Sequence, residues 1–140
     1  LVELGRNIYR AGIAAKGVPA QVHHISSQRV AEVMAKGGQI IGDEGFVVLA
    51  NRRGAGEAEV HDATNHVFII VEGEATFVTG GTPVGLKDTA PDQKRAASVT
   101  GGQTYHLTKG DVITIPAKTP HWFKEVPKSV DYFVVKVIAP

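Results

Sequence analysis

Residues 59–74 of the chain read EVHDATNHVFIIVEGE. On a strand, side chains two positions apart leave the same face, so Glu59 and His61 are predicted to point the same way. After a short turn-like segment, His66 opens the next β-type run with Phe68 on its face. An antiparallel hairpin would bring residues 59, 61 and 66 close together.

A second stretch, residues 110–121, reads GDVITIPAKTPH and ends on another histidine. His121 is predicted to open a strand, with Phe123 and Glu125 on its face and Trp122 pointing outward. Three imidazoles and one carboxylate that converge inside a barrel would suit Fe, Mn, Co, Ni or Zn as divalent ions. The spacing alone is not specific for a metal site, and Glu59 facing solvent is an equally plain interpretation.

The rest of the chain is rich in short β-type runs separated by turn residues. Ser26-Ser27 and Gly37-Gly38 bracket a helical spacing of apolar residues, which predicts a helix over roughly 27–36. Residues 1–24 are predicted to be an irregular or partly extended arm. Strands are predicted at 40–41, 46–49, 58–62, 66–72, 75–79, 105–107, 112–115, 122–126 and 130–138. Many short strands and almost no helix indicate an all-β sandwich or barrel.

Residues 82–104 interrupt this rhythm, because they combine glycines, a proline and charged residues without a strand pattern. A solvated insertion is the plain interpretation, and a functional loop over the barrel mouth is the alternative.

Composition excludes several classes of protein. The chain has 140 residues, 43% hydrophobic and 21% charged, which predicts one globular domain. The formal net charge of +1 gives no electrostatic footprint for nucleic acid or for an anionic membrane surface. The absence of cysteine excludes disulfides and thiolate metal sites. No apolar run approaches the ~20 residues of a membrane span.

Both histidine stretches resemble the motifs of the cupin superfamily. In the first motif, Gly–x5–His–x–His–x3or4–Glu–x6–Gly, the frame is matched by Glu59, His61, His66 and Gly73. In the second, Gly–x5–Pro–x–Gly–x2–His–x3–Asn, Gly110, Pro116 and His121 keep the family spacing. The resemblance covers about residues 54–125. It implies an all-β, cupin-type jelly-roll β-barrel over residues 39–140, preceded by an N-terminal arm and short helix over residues 1–38.

The departures from the motifs concern the ligands themselves. Glu59 stands where the family has its first histidine, and His66 stands where it has a glutamate. Lys118 and Glu125 replace the glycine and the asparagine of the second motif. Three histidines and one carboxylate are retained, with the two residue types exchanged. The resemblance therefore implies that His61, His66 and His121 bind one divalent transition metal, with Glu59 as a fourth, more labile ligand.

Two functions from different classes follow from this resemblance. The first is a small metal-dependent enzyme acting on a small oxygen-bearing substrate in the barrel, of oxygenase, isomerase, decarboxylase or lyase type. The second is a non-catalytic barrel that binds or senses a small ligand. No phosphate loop, nucleotide fingerprint or serine-nucleophile elbow is present.

Further residues are candidates for the chemistry around the metal. Glu125, if it faces inward, would serve as a general base, and Tyr105 as an acid, base or substrate clamp. Core or surface roles are the alternative for Tyr105, and also for Tyr132 and Lys136. The pair Arg52-Arg53 would suit a carboxylate substrate, or would be solvated surface arginines.

The family resemblance also implies a homodimer, commonly with exchange of N-terminal strands. The N-terminal arm and the run 130–138 are the expected pairing elements, because free sheet edges favour pairing. Residue 1 is leucine rather than methionine. Removal of an export signal would explain this, so export to the periplasm is weakly expected, with a trimmed chain as the alternative.

Overall fold

The structure is a computed structural model that describes residues 17–138. Its helix, α1 (Ser27–Lys36), confirms the predicted one. The Ser26 hydroxyl accepts a hydrogen bond from the Arg29 backbone N–H at 3.2 Å, and Gly37 ends the helix with a φ of +79°. Most of the predicted arm over residues 1–24 lies outside the described residues, and residues 17–25 contain no helix or strand. Within 17–138 no helix is long and apolar enough to cross a bilayer.

Thirteen strands follow α1 in the described part of the chain. They are β1 (Gly38–Asp43), β2 (Phe46–Arg53), β3 (Ala58–Val60), β4 (Thr64–Glu72), β5 (Glu74–Thr79), β6 (Thr82–Val84), β7 (Lys87–Ala90), β8 (Gln93–Ala96), β9 (Ser98–Thr100), β10 (Gln103–Thr108), β11 (Val112–Ile115), β12 (His121–Glu125) and β13 (Val130–Ile138).

Two large antiparallel sheets form the jelly roll that the sequence predicted. The five-stranded sheet has the order β1-β2-β13-β4-β11, and the six-stranded sheet has the order β10-β5-β12-β3-β8-β7. A two-stranded ribbon, β6-β9, completes the set, and α1 packs against β1 and β2. Along β4 the buried residues alternate strictly, which places every second side chain in the interior.

The apolar core lies between the two sheets and is built largely from aromatic rings. The Phe68 ring lies 5.3 to 5.9 Å from the rings of Phe77, Phe123 and Tyr132, centroid to centroid. Such offset and tilted pairs add to the free energy gained by burying their apolar area. The core thus fixes the spacing of the two sheets directly beneath the histidines.

The predicted hairpin between residues 59 and 66 is wrong. β3 pairs with β8 and β12 in the six-stranded sheet, whereas β4 pairs with β11 and β13 in the five-stranded sheet. Residues 61–63 cross from one sheet to the other. The side chains still converge, because they face each other across the interior instead of lying side by side on one sheet.

The prediction that residues 82–104 lack strands is also wrong. This segment forms β6 to β9 and the start of β10, and β8 extends the six-stranded sheet by pairing with β3. All four residues of β7 are exposed, so this strand has no buried face that an apolar pattern could mark. Hydrogen bonds to neighbouring strands define these strands, and a hydrophobic pattern cannot reveal them.

The last strand is not available for pairing with a second chain. β13 lies between β2 and β4 and pairs with both, so neither of its edges is free. The expectation that residues 130–138 pair with a partner is therefore wrong. Within the described residues the outer strands of the five-stranded sheet are β1 and β11.

We predict that Gly73→Ala destabilises the fold more than Gly80→Ala does. Both glycines have positive φ, +85° and +74°, so both substitutions introduce strain of roughly 1 kcal/mol. A Cβ at Gly73 would also overlap the carbonyl oxygen of Ser129, whereas nothing lies within 4 Å of one at Gly80. Overpacking adds about 1–3 kcal/mol at residue 73 alone. Urea unfolding of both variants measures the difference. Equal losses of unfolding free energy would contradict the predicted overlap with Ser129.

Candidate metal centre

Three histidines meet in the interior, each supplied by a different part of the barrel. His61 directly follows β3, His66 lies in β4 and His121 begins β12. One nitrogen from each ring lies within 4.8 Å of those of the other two. All three side chains are buried, with exposed fractions of 8%, 3% and 4%. The two sheets therefore contribute the group jointly.

The aromatic core forms the floor of this group. The ring of Phe68 meets His66 and His121 edge to face, with centroid distances of 5.8 and 6.1 Å. The rings of His61 and His121 stack at 5.3 Å. The packing leaves the histidine rings little freedom to turn away from one another.

Hydrogen bonding sets the tautomer of one of these rings. His121 Nδ1 lies 3.1 Å from the carbonyl oxygen of Thr119, which only accepts. In the neutral ring Nδ1 therefore carries the proton and Nε2 carries the lone pair. Nδ1 of His61 and Nδ1 of His66 are buried and have no hydrogen-bond partner among residues 17–138.

Burial keeps the three imidazoles neutral. Desolvation first, and then the neighbouring His121 and His61, lower the pKa of His66 to about 3. Desolvation likewise lowers the pKa of His121 to about 4, against a raising effect of the bond to Thr119. The pKa of His61 is lowered by burial, partly offset by the charge of Glu59. Neutral imidazoles are the protonation state that metal ions require.

The histidines line a cavity of about 190 Å³, referred to below as the histidine cavity. Its lining residues are Leu49, Asn51, Arg53, Glu59, His61, His66, Phe68, Gln93, His121, Tyr132, Val134 and Lys136. A wider outer cleft of about 660 Å³ shares Asn51, Arg53, Glu59 and Tyr132 with it. The shared residues connect the histidine cavity with the surface.

Glu59 lies at the rim of the histidine group. Its Oε2 is 4.0 Å from His121 Nε2. Its Oε1 accepts a hydrogen bond from Gln93 at 3.2 Å and lies 3.4 Å from Nε of Arg95. The carboxylate is held beside the histidines by two residues of β8.

The structure does not bring Glu125 or Tyr105 to the histidine cavity. A bulge in the pairing of β12 with β5 falls between Phe123 and Glu125, and it turns Glu125 out to solvent. The prediction of an inward Glu125 assumed regular alternation of side chains from His121 onward. The bulge adds one residue to β12 and reverses that alternation before Glu125. Tyr105 is 40% exposed in β10, an outer strand of the six-stranded sheet. Neither residue is placed to act on a molecule bound at the histidines.

Other residues take the positions nearest the histidines. Tyr132 and Lys136, for which core or surface roles were the alternative, both line the cavity, as does Arg53. Gln93 and Arg95 were missed, because they belong to the segment in which no strand was predicted. A strand assignment for residues 93–96 would have placed both on the face that carries Glu59.

These residues fit a divalent metal ion. Three neutral imidazoles converge, and a backbone carbonyl fixes the tautomer of one of them, as hydrogen bonds to the other ring nitrogen do for metal-binding histidines. Buried polar atoms in proteins rarely lack a hydrogen-bond partner, because an unpaired one costs free energy. The unpaired Nδ1 atoms of His61 and His66 therefore point to a ligand nearby. Imidazole donors suit zinc, copper, nickel and iron.

The sequence model of the Cupin family matches residues 30–140. The chain therefore belongs to the cupin family, and its jelly-roll fold is the fold of that family. Among curated proteins, no sequence matches the chain at a significant level.

Solved structures show the same fold at low sequence identity. Hydroquinone 1,2-dioxygenase PnpCD, in complex with Cd²⁺ and 4-hydroxybenzonitrile, is 16% identical, with 88% of this chain and 83% of that chain covered and a TM-score of 0.59. BH2720 from Bacillus halodurans is 11% identical, with 87% and 86% covered and a TM-score of 0.57. A protein with a double-stranded β-helix domain from Klebsiella pneumoniae is 16% identical, with 85% and 92% covered and a TM-score of 0.56.

We predict that the metal-free protein loses stability as the pH falls from about 7 to about 5. The unfolded chain binds protons near the ordinary histidine pKa of about 6.5, whereas folded His66 and His121 bind them only near pH 3 to 4. The unfolded state thus gains protons first, which costs the fold about 2 kcal/mol per histidine over this range. Urea unfolding in the presence of a chelator measures the loss.

The matched variants for this experiment are His66→Gln and His106→Gln. His66→Gln should remove about 2 kcal/mol of the pH dependence. His106→Gln changes a histidine whose side chain is 63% exposed and should leave it unaltered. A wild-type stability that is the same at both pH values would contradict the neutral, buried state of the histidines.

Proposed function

We propose that the chain is a small metal-dependent cupin enzyme that acts on a small oxygen-bearing organic substrate held in the histidine cavity. The carrying observation is the group of three buried, neutral histidines at the floor of a cavity that reaches the surface. The reaction class stays open between oxygenase, isomerase, decarboxylase and lyase chemistry. When bound, a divalent ion supplies Lewis acidity and open coordination positions for substrate, water or O₂.

In this proposal His61, His66 and His121 hold the ion, and Glu59 is a fourth, more labile ligand. The hydrogen bond from Gln93 and the ion pair with Arg95 share the charge of the Glu59 carboxylate, which weakens it as a metal ligand. Among residues 17–138 the three imidazoles have no such partner except the Thr119 carbonyl, which lies beside Nδ1 of His121.

Tyr132 is the residue best placed to donate a proton to a substrate oxygen. Burial raises the pKa of its hydroxyl, against the lowering effect of Arg53, so the hydroxyl stays protonated at neutral pH. Its oxygen accepts a long bond, 3.5 Å, from the amide of Asn51. The oxygen acts as acceptor towards Asn51 and Arg53, so the hydroxyl proton is available to a substrate oxygen in the cavity.

Two structural relatives support a metal-dependent function. PnpCD is a dioxygenase whose structure holds Cd²⁺ together with a small phenol. Another protein of this fold, HppE, is known with Fe(II), at 15% identity and a TM-score of 0.52, although the matched region covers only 49% of that chain. The fold thus accommodates a metal ion in both proteins and a small ligand as well in PnpCD.

We expect His121→Ala to stay folded and to lose the metal. The apolar core packs independently of the ion, whereas removing one of three imidazoles should lower metal affinity by at least tenfold. Glu59→Gln should cost less, because a water molecule can replace a weakly held carboxylate oxygen. Metal content of the untagged protein by mass spectrometry, with circular dichroism as the check on folding, measures both effects.

The control is His106→Ala, which removes an exposed histidine and should leave the metal content at the wild-type value. Stoichiometric metal in His121→Ala or His61→Ala would overturn the ligand assignment. A wild-type protein that binds a small ligand but neither metal nor O₂ would favour the non-catalytic barrel instead.

The homodimer remains a prediction. β1 is an outer strand of the five-stranded sheet, and its free backbone groups would suit pairing with a second chain. We expect light scattering at micromolar concentration to give twice the chain mass of 14.9 kDa. A mass of one chain throughout that range would contradict the dimer.

A further inference from the structure

Arg52 and Arg53 are neighbours in β2, yet the structure commits only one of them to an ion pair. Adjacent residues of a strand face opposite sides, and Arg53 faces the histidine cavity. Arg52 Nε and Nη2 donate to the two carboxylate oxygens of Asp131 at 2.7 and 2.9 Å. The charge of Arg52 is therefore compensated inside the protein.

The guanidinium of Arg53 is held in place without a carboxylate. Its Nε donates to the Gly54 carbonyl oxygen at 3.0 Å, and its central carbon lies 4.7 Å from the centre of the Phe123 ring. Gly56 lies so close that a Cβ there would overlap Nη2 of Arg53. No carboxylate between residues 17 and 138 lies within ion-pair distance of Arg53. The guanidinium also hydrogen-bonds the Tyr132 hydroxyl, and its remaining terminal N–H donors are held in a fixed orientation.

The segment that holds Arg53 is itself fixed. The Gly56 N–H donates to the Phe123 carbonyl at 3.2 Å, and the indole N–H of Trp122 donates to the Gly56 carbonyl at 2.7 Å. Gly56 therefore cannot move aside easily to make room for a side chain. Ordering a long arginine costs conformational entropy, so an arginine that is ordered in advance binds a ligand at lower cost.

The charges that line the histidine cavity do not balance. The three histidines are neutral, and Glu59 is paired with Arg95. Arg53 and Lys136 remain as cations without a carboxylate partner among the described residues. In the sheet Lys136 lies opposite His66, and Val130 of the same strand lies opposite Arg53. Residues 130 and 136 are six residues apart, so roughly 20 Å of strand separates the backbone positions of the two cations. An anion is the occupant that this lining favours.

We propose that the substrate is a small organic acid and that Arg53 binds its carboxylate at the junction of the histidine cavity and the outer cleft. This inference rests on the proposed function and names its substrate class. A guanidinium matches the two oxygens of a carboxylate with two parallel hydrogen bonds. The volume of 190 Å³, about six water molecules at ~30 Å³ each, limits the part of the substrate that reaches the histidines to a small group.

The test is the binding of acids and of their amides to the purified full chain by titration calorimetry. The probes are hydroxy acids of two to four carbon atoms and 4-hydroxybenzoate, each alongside its amide, which keeps the shape and removes the charge. We expect at least one acid to bind at least about tenfold more tightly than its amide, as befits a charge-assisted pair. If no acid binds more tightly than its amide, the proposal is wrong.

Two variants and a matched control assign the effect to Arg53. Arg53→Gln should weaken acid binding at least about tenfold and change amide binding less than about twofold. Gly56→Ala keeps every charge but displaces the guanidinium, so it should weaken acid binding as well. Lys128→Gln removes one positive charge between β12 and β13, outside both the histidine cavity and the outer cleft, and should bind the acid as the wild type does. Equal losses in Lys128→Gln and Arg53→Gln would show a general charge effect and overturn the assignment.

Metal content, measured on the same samples, separates this inference from the proposed function. Acid binding that depends on Arg53 in protein unable to bind metal would support the carboxylate site and contradict the metal-dependent enzyme. Stoichiometric metal without any preference for acids over amides would support the metal-dependent enzyme and contradict the carboxylate site. Thermal unfolding of each variant checks folding, and Gly56→Ala keeps the proposal testable if Arg53→Gln does not fold.

Discussion

The packing of His66 and His121 against the ring of Phe68, with His61 stacked on His121, is the constraint on which the rest of the site depends. Contact with that ring removes His66 and His121 from water, and desolvation favours the neutral state of both. Neutral rings bring lone pairs, and no charge, into the interior. The cavity can therefore hold nitrogen donors next to an aromatic core without a carboxylate for each of them.

The alternation of side chains between the two faces of a strand accounts for most of what could be predicted from the sequence. The spacing of His61, His66 and His121 relative to the motif glycines and Pro116 was enough to predict a jelly roll and three converging histidines. The prediction was correct in its outcome although the hairpin was wrong. The three residues between β3 and β4 are enough to connect strands of two facing sheets, just as they could connect neighbours in one sheet. Both connections bring residues 61 and 66 together. Side-chain parity is local, whereas the sheet to which a strand belongs is decided by distant partners.

Two features could not be read from the sequence for physical reasons. The bulge after Phe123 reverses the parity of Glu125, and no residue type marks such a bulge in this stretch. β8 is held by backbone pairing with β3 and by polar contacts to Glu59, and only Ala96 in it is buried. Hydrophobic periodicity detects strands that cover a core, so an outer strand that instead orients a carboxylate escapes it.

The exchange of carboxylate and imidazole relative to the family motif keeps three histidines and one carboxylate but puts the carboxylate at residue 59, beside β8. Arg95 of β8 compensates Glu59, so a divalent ion on three neutral histidines would add its full charge to that of Arg53. An anion in the same small volume offsets both charges, since electrostatic attraction is strong where water is excluded. Ion and anion would then each raise the affinity of the other by the same factor, because linkage between two ligands is reciprocal. A barrel with this lining is suited to holding both together.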